Sequence, residues 1–286
     1  MNLFIKNCLR LSGIAILLGI ILIFIAYGSG ATLSGADSKD FNFDFTSDYE
    51  DEITSISMDL TYGNVSFKRG DKFRIEAEDM NKESFNSYVE DGTWHIEDSK
   101  DYQFSIFGLD LPFINIGNDI DTRSKVVIYI PEDFQPDSFN IEIGAGKVTI
   151  CDLDANEVDF EVGAGLLEAE RLNVSGSATF EVGAGKMSVE NLIANDSSLS
   201  CGLGEMVMKG DLKGDSTVEC GLGHIKLELA AKEADYDFLV DCGLGNVSIN
   251  GSNYSFTSST QVYGDNAQNE MSIECGVGGI EVDTAE

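Results

Sequence analysis

The sequence predicts an all-β protein, a parallel β-solenoid of about 19–20-residue coils with Gly-x-Gly corners, preceded by one N-terminal transmembrane helix. Three observations predict it. A Gly-x-Gly element recurs through the second half of the chain. Apolar and polar residues alternate on both sides of each glycine pair. An uncharged, mostly apolar run occupies residues 11–27.

The elements follow in chain order. Residues 1–10 form a basic tail carrying Lys6 and Arg10. As a helix, residues 11–27 extend about 26 Å, slightly short of a hydrocarbon core of about 30 Å. Basic residues before the run and an acidic body after it, beginning at Asp37, place the N-terminus in the cytoplasm and the body outside. A cleavable signal peptide competes with this reading, because Ser29-Gly30-Ala31 fits a peptidase site and the body would then be secreted. The apolar run exceeds the usual signal core of about 7–15 residues, which favours a retained anchor. Residues 28–40 are small and polar and read as a linker.

The body is a repeat. Glycine pairs stand at Gly144/Gly146, Gly163/Gly165, Gly183/Gly185, Gly202/Gly204, Gly221/Gly223, Gly243/Gly245 and Gly276/Gly278, with spacings of 19, 20, 19, 19, 22 and 33. The last spacing is lengthened by a polar insertion near residues 251–268. Apolar columns precede each pair (Ile143, Val162, Val182, Cys201, Cys220, Cys242, Cys275) and follow it by two residues (Val148, Leu167, Met187, Met206, Ile225, Val247, Ile280). Period-two alternation describes strands with one buried face. Across each pair the apolar phase slips by one residue, which a corner or bulge at the second glycine would produce, since glycine tolerates the positive φ that such a turn often requires. A leucine column, Leu153, Leu172, Leu192 and Leu212, marks a further corner. No single coil can bury its apolar face alone, so only the stack is stable.

The domain reading is a first, irregular part of the solenoid over residues 41–140 and a regular part over 141–286. The irregular part contains a degenerate copy around Gly63, and strand candidates at 72–78, 93–97 and 125–130. The run Val126-Val-Ile-Tyr-Ile-Pro131, followed by Phe139-Asn-Ile-Glu-Ile-Gly-Ala-Gly-Lys-Val-Thr-Ile150, resembles the bacterial "putative adhesin" β-strand-repeat family of unknown function. The resemblance covers about residues 41–283 and implies a membrane-anchored envelope protein. It brings no catalytic residues with it.

Composition excludes some functions. Eighteen Lys+Arg against 50 Asp+Glu leave a net charge of −32, so the chain cannot neutralise nucleic-acid phosphates or adhere to anionic lipid through a basic patch. Two histidines, His95 and His224, offer little for acid–base catalysis.

Three features are candidates for function. One is an acidic column two residues before the first glycine: Asp59 in the early copy, then Glu142, Glu161, Glu181, Glu219, Asp241 and Glu274, interrupted by Ser200. Strand alternation turns it outward, where carboxylates stacked about 4.8 Å apart attract Ca²⁺ or a cationic partner, or simply keep the face soluble. The aromatic stretch 102–116 is another, with Phe104, Phe107 and Phe113 forming either an apolar contact patch or an end cap.

The cysteines are the third. In three repeats the pair flanking the first glycine is large then small, as Ile143/Ala145. In the next three it is small then large, as Cys201/Leu203. That exchange reads as two positions filling one core layer, with cysteine as a small hydrophobe instead of a disulfide or metal ligand. Cys151 sits in an otherwise charged column and reads as an exposed thiol.

The expected function is a non-enzymatic, adhesin-like surface module that contacts the membrane through residues 11–27 and binds an envelope protein, glycan or cationic ligand. A glycan-acting β-helix enzyme and a self-assembling architectural protein are the rival classes.

Overall fold

The structure, a computed structural model, describes residues 43–46, 53–78, 85–98, 105–106, 109–110 and 125–285. The predicted anchor and linker, and Phe104, Phe107 and Phe113, lie outside these residues. No helix among the described residues is long and apolar enough to cross a membrane.

The irregular part holds β1 (Phe43–Thr46), β2 (Ser55–Gly70), β3 (Arg74–Glu78), β4 (Phe85–Glu90) and β5 (Thr93–Asp98). A separate unit contains the hairpin of β6 (Ser105–Ile106) and β7 (Leu109–Asp110), in which Ser105 pairs with Asp110. The chain continues through β8 (Lys125–Pro131), β9 (Ser138–Ala155), β10 (Glu157–Val162), β11 (Leu166–Val182) and β12 (Lys186–Cys201). Next come β13 (Glu205–Lys213), β14 (Asp215–Cys220), β15 (His224–Lys232), β16 (Tyr236–Cys242) and β17 (Asn246–Ile249). The last strands are β18 (Ser252–Tyr254), β19 (Thr257–Val262), β20 (Asn269–Cys275) and β21 (Gly279–Ala285). The strands β3, β5 and β8 match the strand candidates at 72–78, 93–97 and 125–130.

Each coil runs into a glycine corner on one parallel ladder and leaves it on another. The incoming ladder places β5, the first half of β2, the first half of β9, β10 and the second halves of β11 and β12 side by side. It then continues through β14, β20 and β16. The outgoing ladder runs β8, β2, β9, β11, β12, β13, β15, β21, β17. The irregular and regular parts therefore share one continuous sheet system. Antiparallel pairing takes over at the ends of both ladders: β4 on β5, and β3 on β8 with β1 antiparallel beyond it, at one end, and β19 and β18 at the other. They interrupt the parallel pairing of the stack, which works against continuation by a further identical coil.

One coil shows how sequence becomes core. Ala178, Phe180 and Val182 point inward before the corner, Met187 and Val189 after it, and Leu192 and Ala194 after a second corner, all at most 2% exposed. Two consecutive outward residues, Glu190 and Asn191, mark that second corner. Each such run is strand alternation, and each corner resets its phase. At the corners the Asn191 side-chain amide donates to the Glu170 carbonyl (2.9 Å) and that of Asn195 to the Ser175 carbonyl (2.9 Å), so a coil satisfies backbone acceptors of its neighbour. Phe160 packs edge-to-face on Phe139 (6.0 Å) and on Phe180 (5.8 Å), linking three coils through one aromatic column.

The structure corrects four details of the sequence reading. First, the last two coils exchange places: β20 lies between β14 and β16, so the order at the corner is Gly221, Gly276, Gly243. The polar insertion carries the chain to the outer edge as β18 and β19 before it returns inside as β20. Second, the residue between the glycines is not core. Leu203, Leu222 and Leu244 are 61%, 57% and 70% exposed, while Cys201, Cys220 and Cys242 are buried. The corner turns the middle residue outward, so the two positions do not share a layer.

Third, among the second glycines only Gly146 has a positive φ, of 107°. The others are glycine because coils approach closely: a Cβ on Gly204 would lie 2.2 Å from the Gly185 carbonyl oxygen and 2.6 Å from Val182 Cγ1. Fourth, Leu212 leaves the leucine column. Leu192 pairs with Gly210 and Ala194 with Leu212, so this coil turns its second corner one residue shorter, with Gly210 at φ 142°.

Ser197 and Ser216 are buried, and neither hydroxyl has a hydrogen-bond partner. Ala178 pairs directly with Ser197 one coil away, so alanine fits this position. The double substitution S197A/S216A is expected to stabilise the fold by about 1 kcal/mol, because it removes desolvated hydroxyls. Thermal melting should show it as a rise of about 2–4 °C.

Candidate functional site: an acidic column on the incoming ladder

The predicted acidic residues are brought into one file. Register pairs Asp59 with Glu142, Glu142 with Glu161, and Glu161 with Glu181. Ser200 interrupts, and the file resumes as Glu219, Glu274 and Asp241. The exchange of the last two coils thus alters the order of the column without breaking it. Glu97 pairs with Asp59 and extends the file by one carboxylate. Sequence reading missed Glu97 because β5 has no glycine pair to align on. Asp59 is half-buried and the six acidic residues of the regular coils are exposed. Those six have no ion-pair partner among the described residues.

The opposite arrangement holds on the outgoing ladder, where lysines cross-link coils. Lys186 reaches Glu205 (3.0 Å), Lys209 lies between Glu190 (3.0 Å) and Glu228 (3.9 Å), and Lys226 contacts Glu281 (3.2 Å) and Asp283 (3.5 Å). Arg171 binds Asp154 (2.6 Å) and Asp152. The lysines form no column in the sequence, yet they are organised across coils. The negative charge is therefore partly compensated by cations on one ladder and left without them along the column on the other.

Burial raises the Glu161 carboxyl above its ordinary value, and the neighbouring charges of Glu142 and Glu181 push the same way. Asp154 goes the other way, held at about 2 chiefly by the Arg171 hydrogen bond. The folded state keeps the Glu161 proton at a pH where the unfolded chain has lost it, so stability from this group grows on acidification. The Asp154 contribution is full above its ordinary value of 3.8 and is lost as pH falls toward about 2. Melting temperature at low salt is expected to rise as the pH is lowered toward the ordinary carboxyl value of 4.5, and to fall as the pH drops below 3.8 toward about 2. Added NaCl should flatten the upper limb by screening the column.

A file is not a cage. Calcium takes about 6–8 oxygens at roughly 2.3–2.6 Å, whereas one carboxylate per coil does not converge on a point. Among the described residues no group of three or more His, Cys, Asp or Glu is placed to hold a metal. Millimolar Ca²⁺ is accordingly expected to shift the melting temperature no more than Mg²⁺ at equal concentration.

The remaining chemistry is dispersed. His95 in β5 stacks on Tyr88 at 4.9 Å, while His224 opens β15 on the other ladder. Cys201, Cys220, Cys275 and Cys242 are free, buried thiols in register on successive coils, and Cys151 is exposed, as the sequence indicated. Burial raises the Cys275 thiol to about 12, and its neighbour Cys242 adds to the shift, which makes it a poor nucleophile.

Fold and column together define an all-β, solenoid-like strand-repeat protein. The chain belongs to the Toastrack DUF4097 family, which matches residues 53–274. Similar solved structures include a Bacteroides fragilis protein described as a putative adhesin, at 15% identity and TM-score 0.46, covering 88% of this chain and 100% of that one. A Clostridium sporogenes protein described as a putative cell adhesion protein shares 13% identity at TM-score 0.34, covering 86% and 100%. A Parabacteroides distasonis protein described as a putative adhesin shares 13% identity at TM-score 0.37, covering 87% and 98%. No curated protein matches the sequence.

Proposed function

We propose that this chain is a single-pass, membrane-anchored module of the cell envelope that binds partners through its extracytoplasmic solenoid and performs no chemistry of its own. The observation that carries the reading is the acidic column: carboxylates in register along the incoming ladder, six of them exposed without a cation partner among the described residues. Such a face repels itself and is relieved by a cationic partner. The apolar run at residues 11–27 and the basic tail before it support the anchor and its orientation.

Two measurements test the proposal. Protease treatment of intact cells should digest the body and spare a tag at the N-terminus; a body protected from external protease overturns the placement. Capture of surface partners by the full chain should fall when Glu142, Glu161, Glu181, Glu219, Asp241 and Glu274 are replaced by their amides. Unchanged capture removes the column from the binding role.

A further inference from the structure

The outward turn of the corner residue has a consequence on four successive coils. Leu203, Leu222, Val277 and Leu244 are 61%, 57%, 49% and 70% exposed. Corner hydrogen bonds hold them in file: the amide of Leu222 donates to the Gly202 carbonyl (2.8 Å), that of Val277 to Gly221 (2.8 Å) and that of Leu244 to Gly276 (2.7 Å). The file continues past the last coil. Tyr254 pairs with Val247 and Thr257 with Cys242, so residues 255–256 run beside the Gly243–Gly245 corner. The Ser255 hydroxyl donates to the Asn246 side chain at 2.9 Å. Phe256, there, is 76% exposed and held at φ 56°, a conformation that bulky side chains rarely adopt. In the earlier coils the same corner position carries only Ala145, Ala164 and Ala184. Single exposed leucines are ordinary, whereas a contiguous apolar ridge on a strongly acidic protein marks a contact surface.

We propose that this ridge, Leu203–Leu222–Val277–Leu244–Phe256, docks a basic amphipathic helix of a partner protein. Charge complementarity selects the occupant. Glu219, Glu274 and Asp241 stand three residues before the ridge side chains on the same coils, exposed and without a cation partner among the described residues. Four steps of about 4.8 Å make a ridge of roughly 19 Å, the length of about 13 helical residues. The helical pitch of about 5.4 Å nearly matches the coil spacing, so residues at i, i+3/i+4 and i+7 meet successive ridge side chains. Lysines or arginines flanking that stripe meet the carboxylates. An acidic or neutral helix would leave those carboxylates desolvated and unpaired. The inference rests on the reading of this chain as a binding module and names the surface and partner chemistry.

The test uses the full chain in nanodiscs of zwitterionic lipid, with empty nanodiscs as the blank. The probe is a fluorescent 15-residue helical peptide of leucine and lysine, with a leucine/glutamate peptide as control. Binding of the lysine peptide should weaken at least tenfold in L203S/L222S/L244S and in E219Q/E274Q/D241N, and change less than twofold in E132Q/D133N/D137N, which removes three exposed carboxylates between β8 and β9, away from the ridge and the column. The leucine/glutamate peptide should not bind. All substituted side chains are exposed, so each variant should keep its melting profile. Equal binding by the wild type and L203S/L222S/L244S overturns the proposal. So does light scattering that shows a wild-type dimer dissociated by the same serines, because the ridge is then a self-contact. Failure of the protease experiment above would change the compartment and leave these binding results standing.

Discussion

Gly204→Ala is expected to destabilise the protein by about 2–3 kcal/mol, while Gly202→Ala, two residues earlier in the same corner, costs less, about 1–2 kcal/mol. The asymmetry is geometric. A Cβ on Gly202 meets the Gly183 carbonyl oxygen at 2.9 Å, so backbone must shift there too, but no packed side chain opposes it. On Gly204 it meets the Gly185 carbonyl oxygen at 2.2 Å and Val182 Cγ1 at 2.6 Å, so backbone and packed core oppose it together. The pattern recurs at Gly223, where a Cβ would lie 2.3 Å from the Gly204 carbonyl oxygen and 2.8 Å from Cys201 Sγ. Removing that sulfur in a Gly223→Ala/Cys201→Ala double variant should therefore recover little, because the carbonyl contact remains. Urea denaturation of these three variants and of Gly223→Ala alone measures this. Equal losses at Gly202 and Gly204 would show that flexibility, and not the separation of coils, accounts for the glycines.

The same corners explain what was legible in the sequence and what was not. The glycine pairs are an absolute register mark, so the inward columns around Val148 and Ile150, and the outward carboxylates around Glu142, could be aligned from spacing alone. The order of coils could not. Cys220, Cys275 and Cys242 are identical at the corner, as are the glycines after them, and columns of identical residues do not say which neighbour each one has. Counting by twos also failed across the turn: Leu203 is in phase with Cys201 along the chain, but the corner rotates it into solvent. Glu97 was hidden because its strand belongs to the column by pairing with Asp59 and not by any repeated motif. Local pattern thus determined the face of each residue wherever the chain was straight. Pairing across long loops determined the rest, and that depends on contacts no spacing records.

Phe180→Ala should cost about 3–5 kcal/mol, whereas Leu222→Ala leaves stability within about 0.5 kcal/mol. Both are large apolar side chains on repeat columns, and only the direction in which they point separates them. Phe180 is fully buried and packs on Phe160 at 5.8 Å. Removing it takes away transfer free energy and leaves a cavity walled by neighbouring coils, whose hydrogen-bonded spacing prevents collapse. Because a solenoid is held by nearest-neighbour contacts, weakening a central coil uncouples the stack on either side. The double variant Phe160→Ala/Phe180→Ala should lose less than the sum of the singles, since each substitution already removes the contact between the rings. Leu222 buries little in the free protein, so its truncation has little to remove. A loss above about 2 kcal/mol for Leu222→Ala would place that side chain in the core and abolish the corner ridge as a free surface. A near-zero loss, together with impaired binding of the lysine peptide, separates a residue kept for contact from one kept for folding.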